Sequence, residues 1–115
     1  MAFQCEDDET PLTQEEERME LDIDKQAIID FAATSVCNAS TECKYIGFGS
    51  KPCGGPWSYI IYTTSIDTDK LELWIEDYNN KEADFNAKWG VFSDCSIANP
   101  PTSISCENNV CIPVF

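Results

Sequence analysis

The stretch Asp67–Gly90, DTDKLELWIEDYNNKEADFNAKWG, decides the fold class, because it carries the clearest helical signal in the chain. Asp67 suits an N-cap and Asp69 the positive end of a helix dipole, while Lys88 suits the negative end and Gly90 a left-handed stop. Leu71, Trp74, Ile75, Tyr78, Phe85 and Trp89 recur at 3.6-residue spacing, so this helix must lay an apolar stripe against another element. Glu72 and Glu76 fall on the opposite face and read as solvated surface rather than a catalytic pair.

Upstream the pattern changes to strands. Lys44–Phe48 and Trp57–Thr64 are rich in aromatic and β-branched residues. In the second run Trp57, Tyr59 and Ile61 share one face and Ser58, Ile60 and Tyr62 the other, which predicts a strand covered on one side and lined with aromatics on the other. The connection Gly49-Ser50-Lys51-Pro52-Cys53-Gly54-Gly55-Pro56-Trp57 holds two prolines that fix φ, while Gly54-Gly55 supply left-handed turn geometry.

Further upstream Ile28, Phe31, Ala32 and Ser35 predict a first helix over residues 22–36, and Thr13-Gln14-Glu15-Glu16 has capping-box form. Downstream, Val91–Ile97 reads as a strand, Asn99-Pro100-Pro101 breaks it, and Ser103–Val114 reads as a hairpin around an Asn108-Asn109 type I′ turn. The expected fold is therefore α+β: two helices packed on a small, mainly antiparallel sheet in the order α-β-β-α-β-β-β.

Seven cysteines in 115 residues indicate a disulfide framework and an oxidising compartment. No Cys-x-x-Cys pair or histidine supplies a familiar zinc spacing, so neither a metal nor a cofactor is expected. Asp22-x-Asp24 and Asp67-x-Asp69 lack the glycine and distal glutamate of a calcium loop. The hairpin sets Cys106 opposite Cys111, Cys37 and Cys43 are close in sequence, and Cys53 and Cys95 remain. These are the expected pairs, with Cys95–Cys111 as the competing choice.

Met1–Gln4 is a mostly apolar lead into Cys5, after which the composition turns acidic. The junction reads as the remnant of an export signal with Cys5 as a lipidation site, the other reading being an unpaired cysteine in a tail. From Glu6 to Asp24 there are ten acids against the single Arg18. Residues 1–21 are accordingly expected to be signal remnant and acidic tether, with a single disulfide-bonded domain over 22–115. An acidic run after a lipidated cysteine also resembles a surface-export signal of some bacterial lipoproteins.

A formal charge of −14 disfavours nucleic acid and direct adhesion to an anionic membrane, leaving membrane attachment only through a lipid at Cys5. The absence of histidine removes Ser-His-Asp and Cys-His mechanisms. Lys51 does not form a phosphate loop, since Pro52 follows it where Ser or Thr at a helix start is required. Two minor alternatives remain open, a protease-inhibitor-like module presenting Lys51 and a small carboxylate-dependent hydrolase. Trp57, Tyr59 and Tyr62 are the aromatic candidates for stacking on a sugar or gripping a peptide, against the plainer reading that they fill the core.

The block Gly49–Trp57, followed by Tyr59, Tyr62, Tyr78-Asn79 and Ser93-Asp94-Cys95, resembles a group of small exported bacterial proteins that carry a KPCGGPW segment. The likeness spans roughly residues 40–111. It implies export and a disulfide-bonded module, and it implies no activity. The expectation taken forward is a non-enzymatic, lipid-anchored protein of the bacterial cell envelope, possessing Lys51, Trp57, Tyr59 and Tyr62 as binding candidates. Its partner would be a protein, peptide or glycan there.

Overall fold

The computed structural model describes residues 12–115; Cys5 and the acids Glu6–Glu9 lie outside them. Six elements follow in the order α1 (Gln14–Ala33), β1 (Cys43–Phe48), β2 (Ser58–Thr63), α2 (Thr68–Trp89), β3 (Ser103–Glu107) and β4 (Val110–Val114). The α+β class holds, with one strand fewer than expected and two separate two-stranded antiparallel sheets.

α1 starts well before residue 22. Thr13 caps it through a complete capping box: the Glu16 amide donates to Thr13 Oγ1 at 3.1 Å and the Thr13 amide to Glu16 Oε1 at 2.9 Å. Acids in the first turn suit the helix dipole, so the charge density that suggested a solvated tether here favours a helix start. The boundary expected at residue 22 is thereby corrected to the start of α1. Glu17, read from sequence as part of the tether, accepts hydrogen bonds from Lys88 and from Trp89 Nε1, which draw its carboxyl below the usual range. It ties the first turn of α1 to the last turn of α2.

α2 has the ends that its sequence implies. Asp67 accepts from the Lys70 amide at 3.1 Å, and Gly90 closes the helix at φ 60°. Leu71, Ile75, Tyr78 and Phe85 are buried, together with Glu82. Both helices pack on the face of the β1–β2 hairpin that bears Ile46, Phe48, Ile60 and Tyr62, and Phe48 stacks on Tyr78 with ring centroids 4.9 Å apart. On the opposite face Tyr45 and Tyr59 form an edge-to-face pair at 5.6 Å.

The β3–β4 hairpin turns through Asn108 and Asn109 at φ 52° and 67°, the left-handed geometry a type I′ turn requires. Asn109 also fastens the turn to the chain after α1: its carbonyl accepts from the Cys37 amide at 3.1 Å and its Nδ2 donates to the Cys37 carbonyl at 3.0 Å. Val91–Ile97 forms no strand. Its Ser96 amide turns inward onto Asp94 Oδ1 at 3.0 Å instead of joining a ladder, and Phe92 and Ile97 are exposed.

Two expected disulfides are corrected. Cys37 pairs with Cys106 and Cys43 with Cys111, not Cys37 with Cys43 and Cys106 with Cys111. Cys106 and Cys111 do face each other across the hairpin, but both reach out from it to neighbouring segments. Short sequence distance was a weak guide, because closing a loop ten times longer costs only ~2 kcal/mol more and a docked hairpin outweighs that. The third bridge joins Cys53 to Cys95, although the two pairings that left these cysteines over do not form.

The bridges Cys37–Cys106 and Cys43–Cys111 span 69 and 68 residues and interleave, Cys43 lying inside the first loop and Cys111 beyond it. Either alone stabilises by ~4 kcal/mol on a loop-entropy basis; with one in place the other closes only two short segments and adds ~3 kcal/mol. Denaturant unfolding of the Cys37→Ser/Cys106→Ser protein should thus show a loss of about 3 kcal/mol, and removal of all four cysteines a loss of about 7. Equal costs for the one-bridge and two-bridge deletions would contradict this overlap.

Candidate functional site: a braced loop with an aromatic rim

The connection Gly49–Trp57 is held from four directions. Along one face of α2, Asn79, Glu82 and Asn86 stand at helical spacing and clasp its backbone. Asn79 Oδ1 accepts from the Gly49 amide at 2.7 Å, Glu82 Oε1 from the Ser50 amide at 2.6 Å, and Asn86 Nδ2 donates to the Ser50 carbonyl at 2.8 Å. Asn79 also donates to the Gly47 carbonyl at 3.3 Å. A buried backbone without such partners would lose the full desolvation cost of each group.

Glu82 has a second partner. Arg18 of α1 lies 3.5 Å from Oε2, and its guanidinium stacks 4.5 Å above the Phe85 ring. One carboxylate therefore joins α1, the loop and α2. Tyr78, beside it, has its hydroxyl pushed up to about 12, by burial first and then by the Glu82 charge.

The remaining braces come from the loop itself and from the segment around Cys95. Gly49 sits at φ 88° and is hemmed in: a Cβ there would come within 2.9 Å of Trp57 Cδ1 and 3.0 Å of Glu82 Oε1. Gly54 and Gly55 take φ 102° and 84°, as the sequence implied, and the Lys51 amide donates to the Gly55 carbonyl at 2.9 Å. Cys53 ties the tip to Cys95.

Lys51 is buried, only 7% exposed, and works as an internal strut. Its ammonium donates to the Ser96 carbonyl at 2.8 Å and to Asp94 Oδ1 at 3.1 Å, and it lies 4.9 Å from the Trp57 ring centroid. Asp94 is held down to about 2 by hydrogen bonds from Ser96 and then from Lys51. A lysine so placed is not displayed to a protease, and the accessibility on which the inhibitor alternative rested is missing.

The sequence candidates separate accordingly. Tyr62 is buried beneath α2, where its hydroxyl donates to Glu72 Oε2 at 2.6 Å and is pushed well above its ordinary range by burial and by that acid. It reaches no ligand surface, which corrects its place among the binding residues. Tyr59 is half-buried, its hydroxyl donating to the Ala98 carbonyl at 3.0 Å. Trp57 is 45% exposed and Tyr45, absent from the sequence candidates, 44%. Tyr45 and Tyr59 are paired on the outer face of the hairpin, whereas Trp57, at the end of the loop, borders a depression of about 280 Å³ with Arg18, Lys25, Ser58 and Glu82.

Glu82 and Lys25 were missed from sequence. Glu82 did leave a signal, since it occupies a position on the 3.6-residue stripe between Tyr78 and Phe85 where an apolar residue belongs. Lys25 left none. As for metal, the sulfurs of Cys37, Cys43 and Cys111 lie within 4.8 Å of one another, but each is consumed in a disulfide and offers no thiolate. No family model, curated protein or solved structure matches the chain.

Two outcomes follow for the loop. Glu82→Ala should cost about 2 kcal/mol of stability and speed hydrogen exchange at the Gly49 and Ser50 amides, whereas Glu82→Gln, which keeps an acceptor, should restore most of both. Because the Asp94 pKa is lowered from 3.8 to about 2 on folding, its stabilising effect is complete above pH 3.8 and is lost as pH falls through about 2. A carboxyl NMR titration should place the Asp94 midpoint near 2, with the Ser96 amide moving in step; an Asp94 midpoint near 4 would remove the strut.

Proposed function

We propose that this protein is a non-enzymatic binding module of the bacterial cell envelope, exported and anchored by a lipid at Cys5, with its ligand site centred on Trp57. The observation that carries the reading is the contrast within one loop. Disulfide, glycines, buried lysine and the Asn79–Glu82–Asn86 clasp all hold its backbone still, and the large ring of Trp57 stands half out of the surface at its end. Rigid aromatic side chains give contact area at small entropic cost, which favours stacking on a sugar or gripping a peptide.

The non-enzymatic half rests on chemistry. The chain has no histidine, and the acids Glu17, Glu72, Glu82 and Asp94 are engaged with lysine, arginine, tyrosine or backbone donors. Export is supported by three disulfides and by the resemblance of the Gly49–Trp57 block to small exported bacterial proteins. A lipid anchor agrees with an acidic chain in which, among the described residues, no helix is long and apolar enough to cross a membrane.

The binding reading is tested by labelling the three tryptophans with 5-fluorotryptophan and titrating soluble peptidoglycan fragments and unstructured peptides. The Trp57 resonance should move while those of Trp74 and Trp89 stay, and Trp57→Ala should weaken binding by about tenfold or more. A ligand that leaves the Trp57 signal in place would move the site elsewhere. Fatty-acid labelling that persists in a Cys5→Ser protein would remove the anchor.

A further inference from the structure

The outer edge of β2 is open, and the ladder says which groups it offers. Antiparallel pairing alternates between residues that exchange hydrogen bonds with the partner strand and residues whose backbone points away. In the β1–β2 register Thr64 donates to the Glu42 carbonyl at 3.1 Å, so Tyr62 and Ile60 also bond toward β1, and Tyr59, Ile61 and Thr63 point outward. The Thr63 amide is satisfied by Ser35 Oγ at 3.2 Å, from the chain just after α1. Among the described residues no other hydrogen bond reaches the backbone N–H or C=O of Tyr59 or Ile61.

Beside this edge runs a groove. Ile29, Ala32 and Ala33 of α1 face Tyr59–Ile61 across a space of about 340 Å³, which the short alanine side chains leave unfilled. Lys25 lines this space and also the depression of about 280 Å³ beside Trp57, so the two adjoin at the start of β2. The walls are apolar along the strand, and at that end Lys25 stands beside the Arg18–Glu82 pair. Lys25 makes no ion pair among the described residues, in a chain whose net charge is −14.

We propose that this groove takes an extended peptide of a partner protein, added to β2 as an antiparallel third strand with a carboxylate at its C-terminal end held by Lys25. The proposal rests on the binding-module reading and names its ligand class. Main-chain bonds to Tyr59 and Ile61 supply affinity, and alternate side chains enter the apolar groove against Ile29 and the alanines. Antiparallel addition follows because Lys25 lies at Ser58, the N-terminal end of β2, which meets the C-terminal end of an antiparallel incoming strand. A second copy of β2 does not fit, since Ser58–Thr63 carries no acid to meet Lys25.

The test uses the disulfide-bonded chain and a random heptapeptide library prepared with free and with amidated C-termini. Enriched peptides should carry β-branched residues at alternate positions and either a free C-terminus or a terminal Asp or Glu; comparing the two library forms separates those sources of carboxylate. Binding should shift the Tyr59 and Ile61 amides and slow their exchange, and Lys25→Glu should weaken it by about tenfold with unchanged thermal unfolding. Ile61→Pro removes one outward donor without touching the β1 ladder and should abolish binding. If that variant misfolds, the amide shifts and Lys25→Glu still decide.

Absence of any enriched peptide, enrichment without a carboxylate preference, or binding that leaves the Tyr59 and Ile61 amides unmoved overturns strand addition. Shifts confined to Gly49 and Trp57 overturn it too, yet leave the binding-module reading standing. The fluorotryptophan titration with peptidoglycan fragments judges that reading separately.

Discussion

The carboxylate of Glu82 holds the relative placement of three segments that are distant in sequence. It accepts the Ser50 amide on one oxygen and lies against Arg18 on the other, from a position on α2 that is itself buried. Burying an acid costs free energy unless donors meet it, so the arrangement is stable only when the β1–β2 loop and α1 both arrive. Asn79 and Asn86, one turn to either side, extend the same logic to Gly49 and Ser50. The loop is thus positioned by the helix it crosses, more than by its own prolines.

The other organising constraint is covalent. The β3–β4 hairpin contributes little to the hydrophobic core, and Val110, Ile112 and Val114 remain exposed. Cys106 and Cys111 lie side by side on it, and each reaches a different segment, Cys37 after α1 and Cys43 at the start of β1. An isolated two-stranded hairpin is marginal in water, and the two bridges with the Asn109 clamp to Cys37 supply what packing does not. Hydrophobic packing organises the helices and β1–β2; sulfur and main-chain hydrogen bonds attach the rest.

Those two constraints account for the character of the candidate ligand face. With the backbone of Gly49–Trp57 fixed from α2 and from Cys95, Trp57 stands near Lys25 at the start of β2. A lysine buried within the loop and a tyrosine buried under the helices reverse the sequence expectation for Lys51 and Tyr62. Lys51 is structural because Asp94 and Ser96 fold back to receive it, and Tyr62 is structural because its strand face lies under the helices.

What the sequence determined by itself is local. The capping box of Thr13 and Glu16, the Asp67 cap and Gly90 stop, the left-handed Gly54-Gly55 turn and the Asn108-Asn109 hairpin each depend on a few consecutive residues, whose conformational preferences act wherever the chain lies. The two helical stripes and the first hairpin were legible for the same reason, and with them the α+β class. Tertiary structure alone decided the partners: which sulfur Cys37 and Cys43 meet, what Glu82 receives, why Val91–Ile97 wraps around Lys51 instead of forming a strand, and which edge of β2 stays open. These depend on contacts across some 30 to 70 residues, where loop-closure entropy varies too slowly with separation to favour one partner over another.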